Sequence, residues 1–135
     1  MERIVFKKSI LNRLVEESIS SPLEKIYIGL GYKGNSEVLV EVVEECPNIA
    51  ENPYVSFKAD PICLYNVLTR SERRGLQLVV LIHSHPASPK PSYLDLEGMK
   101  TWRYPWLIID SRSGEYAAWI LVDGGVKRVE VVLVN

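Results

Sequence analysis

Apolar and polar positions alternate and break along the chain in a pattern that lays out its elements. Arg3-Ile4-Val5-Phe6 reads as a short strand. Ile10, Leu11, Leu14, Val15 and Ile19 recur at roughly 3.6-residue spacing, which predicts a helix over about 10–20 with Ser9 as its cap. Ser20-Ser21-Pro22 ends or kinks it. Glu24 to Leu30 and Glu37 to Val43 alternate as two strands about a turn at Tyr32-Lys33-Gly34-Asn35, which suggests a hairpin. Pro47 to Pro53 is a polar loop, and Tyr54-Val55-Ser56-Phe57 is read as extended. Asp60-Pro61 has the form of an N-cap followed by a first-turn proline. It opens a helix to about Arg74, with Ile62, Tyr65, Asn66, Val67 and Leu68 across one broad face and Gly75 as its stop.

Leu76 to Ile82 is apolar, free of Pro and Gly, and reads as a buried strand. A proline-rich loop, Pro86 to Pro91, leads to Ser92 and a third helix carrying Leu94, Asp95, Leu96 and Met99. Trp106 to Ile109 is a strand and Ser111 to Glu115 a turn. Tyr116 to Val122 and Val126 to Val134 form a terminal hairpin about Asp123-Gly124-Gly125. The order β-α-β-β-α-β-α-β-β-β implies a mixed β-sheet with helices packed on it, of α/β or α+β class.

At 135 residues the chain is most simply one domain, 1–135, large enough for a core of its own. A formal net charge of −1 gives generic nucleic-acid binding no electrostatic support. No apolar run approaches the ~20 residues of a membrane span, and Met-Glu-Arg lacks the basic-then-apolar opening of a signal peptide. The expected location is therefore cytoplasmic. Cys46 and Cys63 could pair, but buried thiols in a reducing cytosol are the default for two cysteines in a chain this size. Charged residues far outnumber the single Gln, a weak thermophile signal.

The candidate chemistry sits at the end of the apolar strand, in Leu81-Ile82-His83-Ser84-His85-Pro86, which holds both histidines of the chain. Strand side chains alternate, so His83 and His85 leave on the same face. Two imidazoles on a rigid element begin a zinc site. Asp95, one turn into a helix capped by Ser92, adds a carboxylate and makes a His₂-carboxylate set. Zinc lowers the pKa of a bound water from 15.7 toward ~7. A general base such as Glu must then relay the proton, and a hydroxyl such as that of Ser92 can support a developing oxyanion.

Glu24, His83-Ser84-His85-Pro86 and Ser92-Tyr93-Leu94-Asp95 together resemble the signature of the JAMM (MPN+) zinc metalloproteases. Phe57 to Pro61, Arg73 to Val80 and Tyr104-Pro105-Trp106 resemble further stretches of the family, so the likeness runs over nearly the whole chain. The resemblance implies a cytidine-deaminase-like fold and Zn²⁺ held by His83, His85 and Asp95. It implies Glu24 as general base and Ser92 as oxyanion support. Relatives cleave the bond after the C-terminal Gly-Gly of ubiquitin or a ubiquitin-like protein. Minimal archaeal and bacterial members act on small modifiers or MoaD- and ThiS-like sulfur carriers. Neither nucleic acid nor a membrane is an expected partner, and a homodimer is left open for this chain. One departure stands out: six residues separate His85 from Ser92, where the family usually has seven.

Blander readings compete residue by residue. Ser92 and Asp95 would suit any helix start, Glu24 alone is an ordinary solvated charge, and Asp60 is a cap. Arg70, Arg73 and Arg74 suit a helix C-terminus, and Trp102, Tyr104 and Trp106 suit core, rim or groove. Two other functions are open. A non-catalytic MPN scaffold would normally lack a ligand position, and this chain lacks none. A RadC-like domain would carry His-Asn-His-Pro rather than Ser84 at the centre.

Overall fold

The computed structural model describes residues 3–54 and 56–135. Ten elements follow one another: β1 (Arg3–Lys7), α1 (Lys8–Ile19), β2 (Ile26–Lys33), β3 (Glu37–Cys46), α2 (Pro61–Arg73), β4 (Gln77–His85), α3 (Tyr93–Thr101), β5 (Trp106–Asp110), β6 (Tyr116–Val122) and β7 (Gly125–Val134). The class is the mixed α+β one the sequence implies, but the sheet does not stay open. Its order is β1-β3-β2-β4-β5-β6-β7, and β1 also pairs with β7, so the strands close into a barrel. The β1–β3, β1–β7 and β4–β5 pairs are parallel, and the others are antiparallel.

Strand β2 is buried on both faces, which explains its nearly continuous apolar run. Tyr27 joins a core of Ile4, Phe6, Leu11, Leu14, Val80 and Leu107, on the side that α1 covers. Ile26, Ile28 and Leu30 join Val67, Leu76 and Leu78 beneath α2. Each large apolar side chain buried this way contributes about 1.5–3 kcal/mol relative to exposure. Pairing of β2 with both neighbours slips near Leu30. Gly31 sits at that irregularity, where a Cβ would collide with the Leu39 carbonyl.

Several local expectations are corrected. Ser9 is not a cap: β1 runs straight into α1, Lys7 is the N-cap in extended conformation, and no side chain caps that end. Strand β2 continues through Lys33 before the turn, and β4 continues through both histidines. Of the extended segment proposed at 54–57, Val55 lies outside the described residues. Tyr54 is in a turn, and Ser56 and Phe57 belong to no strand. A single antiparallel bridge, Asn48 to Ala59, orders the segment beyond.

Helix α2 is capped as expected, with Asp60 Oδ1 accepting from the Ile62 N–H at 2.9 Å. Its broad face is split, however. Val67 is buried, whereas Ile62 and Tyr65 are 72% and 69% exposed. Arg70 pairs with Glu44 at 3.1 Å rather than standing free.

Cys46 and Cys63 are joined in a disulfide, not left as thiols. The end of β3 and the first turn of α2 bring their Cα atoms to 5.8 Å, within ordinary bridging range.

Candidate active site

The alternation of β4 puts Leu81, His83 and His85 on one face, at the mouth of a groove of about 870 Å³. Ile26 of β2 lies opposite His83, so Glu24, two residues earlier, arrives beside the histidines. Ser84 secures that approach: its Oγ accepts from the Lys25 N–H at 2.9 Å, and its own N–H donates to the Lys25 carbonyl at 3.1 Å. Asp95 comes from the opposite wall on α3. There Ser92 and Asp95 form a capping box, each side chain accepting from the other's backbone N–H, at 3.1 and 2.9 Å. The box fixes Asp95 Oδ2 on the Ser92 N–H and turns Oδ1 toward His83 Nε2, 3.1 Å away.

His83, His85 and Asp95 are all buried, and one donor atom from each lies within 4.8 Å of the others. The shorter loop after His85 thus still delivers Asp95. It is pinned at two points: Ser88 O lies 2.9 Å from His85 Nε2, and the Trp119 indole N–H donates to Pro89 O at 2.8 Å. A His85 ring that donates from Nε2 keeps a lone pair on Nδ1, which lies 3.9 Å from Asp95 Oδ2. Neither ring nitrogen of His83 finds a well-directed hydrogen bond, although the side chain is only 2% exposed. Buried polar atoms rarely go unpaired. Two imidazoles and a carboxylate with donors turned inward fit a divalent metal of the zinc type.

The second wall and floor are aromatic. Phe57 stacks on His83, with ring centroids 4.3 Å apart, and Trp106 meets the same imidazole edge-on. Trp102 and Trp106 line the groove as the sequence allowed, whereas Tyr104 packs against the α2-side core instead. Ser92 lines the groove too, and Glu24 is 6% exposed with Oε1 3.8 Å from His83 Nδ1. Asn48 and Phe57 were not singled out for the site from the sequence. Asn48 stood out only as a member of the polar loop Pro47 to Pro53, and Phe57 as the first residue of a stretch resembling the family. The cysteines are bonded to one another, which removes a thiol nucleophile from consideration.

Burial pushes the Glu24 carboxyl up to about 7; nearby His83 opposes the rise and Asp95 reinforces it. Burial lowers His85, partly offset by its bond to Ser88. Burial would raise Asp95, but the contact and charge of His83 and the Ser92 N–H together outweigh it and hold it low. A stability slope follows for protein held metal-free by chelator. Folded Glu24 keeps a proton that the unfolded chain releases near 4.5, so its contribution falls as pH rises from about 4.5 to about 7. Above that window the cost reaches up to about 3 kcal/mol. His85 slopes the other way below 6.5, so the comparison of parent with Glu24→Gln isolates the carboxyl. Urea unfolding at pH 5 and pH 8 should show the variant gaining on the parent at the higher pH. An unchanged difference would remove Glu24 from a desolvated site.

The fold is shared with solved proteins. A solution structure from Desulfitobacterium hafniense superposes with a TM-score of 0.85 over 98% of this chain and 93% of its own, at 22% identity. One from Salinibacter ruber gives a TM-score of 0.71 over 100% and 92%, also at 22% identity. In sequence, the chain is 42% identical over 84 residues to a desampylase of Pyrococcus furiosus, covering 61% of this chain and 59% of the relative. It is 40% identical over 86 residues to a probable TtuB-protein conjugate cleaving protease of Thermus thermophilus, covering 63% and 56%. The match thus spans less than two thirds of those relatives' length. The family model described as prokaryotic homologs of the JAB domain matches residues 8–122, which takes in both walls of the groove, and the chain belongs to that family.

Proposed function

We propose that the chain is a zinc-dependent metalloprotease of isopeptidase type, hydrolysing the bond after the C-terminal Gly-Gly of a ubiquitin-like modifier or sulfur-carrier protein. The observation that carries this reading is the convergence of His83, His85 and Asp95 beside a buried Glu24 in one groove. The chain's likeness to the two relatives, a desampylase and a probable conjugate-cleaving protease, supports it.

In this reading His83, His85 and Asp95 hold the metal. Bound there, zinc supplies Lewis-acid polarisation of the scissile carbonyl and of a water molecule. Glu24 would take a proton from the attacking water as the water oxygen bonds to the carbonyl carbon, and would pass that proton to the amine nitrogen as the C–N bond breaks. Its carboxyl, poised near neutrality by burial in the metal-free chain, suits both halves of the transfer. Ser92 Oγ, at the exposed end of the capping box, is the oxyanion donor. The aromatic walls at Phe57, Trp102 and Trp106 narrow the groove, and glycine, with no Cβ, threads such a passage at least steric cost.

The proposal takes the chain as a single domain that works in the cytoplasm, alone or as a homodimer, with protein conjugates rather than nucleic acid or membrane as partners. No helix among the described residues is long and apolar enough to cross a membrane.

The test is a panel of small β-grasp proteins fused through Gly-Gly to a reporter, incubated with zinc-loaded protein and with chelated protein. Mass spectrometry should find one cut after Gly-Gly, lost on chelation and restored by zinc. Folded, zinc-loaded protein that cuts no member of the panel would overturn the proposal.

A further inference from the structure

We infer that Asn48 is a positioning residue that sets both Glu24 and the Phe57 wall against His83. The amide of one asparagine offers two donors and an acceptor oxygen with two lone pairs. Here all are engaged. Nδ2 donates to the carbonyls of Glu24 at 2.8 Å and Ser56 at 3.0 Å, with Pro53 O a further 3.4 Å contact. Oδ1 accepts from the N–H groups of Ala50 at 3.1 Å and Lys58 at 3.0 Å.

Two consequences meet at the site. First, the backbone of Glu24 is clasped from both ends by one segment. Its carbonyl goes to Asn48, and its N–H donates to Pro53 O at 2.8 Å. Ser84 then ties the next residue, Lys25, to the histidine strand. Second, Phe57 is bracketed: the carbonyl before it and the N–H after it both end on the Asn48 amide. The ring held between them is the one stacked on His83. A residue that met only one of these demands would leave a carbonyl or an N–H of the partly buried loop unpaired. Aspartate at this place would accept the two N–H groups but turn a charge toward three carbonyl oxygens.

The inference rests on the proposed hydrolysis only where it concerns turnover, so its test has a second readout. Phe6 and Phe57 are the two phenylalanines of the chain. Protein labelled with 4-fluorophenylalanine therefore gives two ¹⁹F signals, and Phe6, fully buried in β1, serves as the internal control. In Asn48→Ala the Phe57 signal should shift and broaden while Phe6 keeps its position. With the Gly-Gly fusions, kcat should fall about tenfold or more, with KM moving less than threefold, because Glu24 is displaced before the groove is lost. Where the alanine variant disturbs Phe6 as well, Asn48→Asp replaces it, since it keeps the bonds to Ala50 and Lys58. It should move Phe57 alone and lower kcat in the same direction. A Phe57 signal unchanged against Phe6, or kcat within twofold of the parent, overturns the positioning role. A parent that cuts nothing overturns the proposed hydrolysis and leaves the ¹⁹F result to decide on Asn48.

Discussion

Glu24→Gln is expected to keep zinc bound and to slow cleavage by about a hundred- to ten-thousandfold. The substitution keeps the size and shape of a side chain that is 6% exposed, so the groove is not refilled or emptied. It also leaves the three donor atoms of His83, His85 and Asp95 untouched. What it removes is a proton acceptor whose Oε1 lies 3.8 Å from His83 Nδ1. Turnover of a Gly-Gly fusion, read beside zinc content of the same sample, checks the result. Equal turnover with zinc in place would remove Glu24 from the general-base role.

Loss of Asp95 should act on the metal itself. Asp95→Ala is expected to weaken zinc at least a hundredfold and to take cleavage below detection, because a three-donor site is reduced to two imidazoles. Alanine also removes half of the capping box, a change costing about 1 kcal/mol at a helix start. Asp95→Asn separates the two effects. Its amide oxygen can still accept from the Ser92 N–H, so helix content by circular dichroism should match the parent while zinc remains weak. The thermal readout is direct. A ligand at a thousand times its Kd stabilises the folded state by about 4 kcal/mol, and the same concentration acting on a hundredfold weaker site by only about 1.4 kcal/mol, so zinc should raise the melting temperature of the parent far more than that of either variant. A zinc-dependent rise in Asp95→Asn as large as in the parent would exclude Asp95 from the site.

Much of this arrangement was legible in the chain because it is local. His83 and His85 share a face through strand alternation, and Asp60 and Ser92 announce their helices by cap chemistry. Barrel closure was not legible, since pairing of β1 with β7 joins residues more than a hundred positions apart and leaves no local mark. The roles at Asn48 and Phe57 were hidden for the same reason. A polar residue in a loop looks solvated until the carbonyl it satisfies, that of Glu24, is known to pass beside it. Ser9 misled in the other direction: its chemistry suits a cap, but the strand before it left no turn to cap. Ile62 and Tyr65 stand five and two residues from Val67, which at about 100° per residue puts them on the far side of α2, so the core beneath the helix takes Cys63, Leu64, Val67 and Leu68 and leaves those two outside.

The cross-link from Cys46 to Cys63 encloses the whole stretch that carries Asn48 and Phe57, across a sequence separation of 17. Severing it would return roughly 3 kcal/mol of loop-closure entropy to the unfolded chain. Intracellular disulfides persist in hyperthermophilic hosts, whereas mesophilic cytosols reduce them. Copies of this protein made in the two kinds of cell would therefore differ in heat tolerance with not one residue changed.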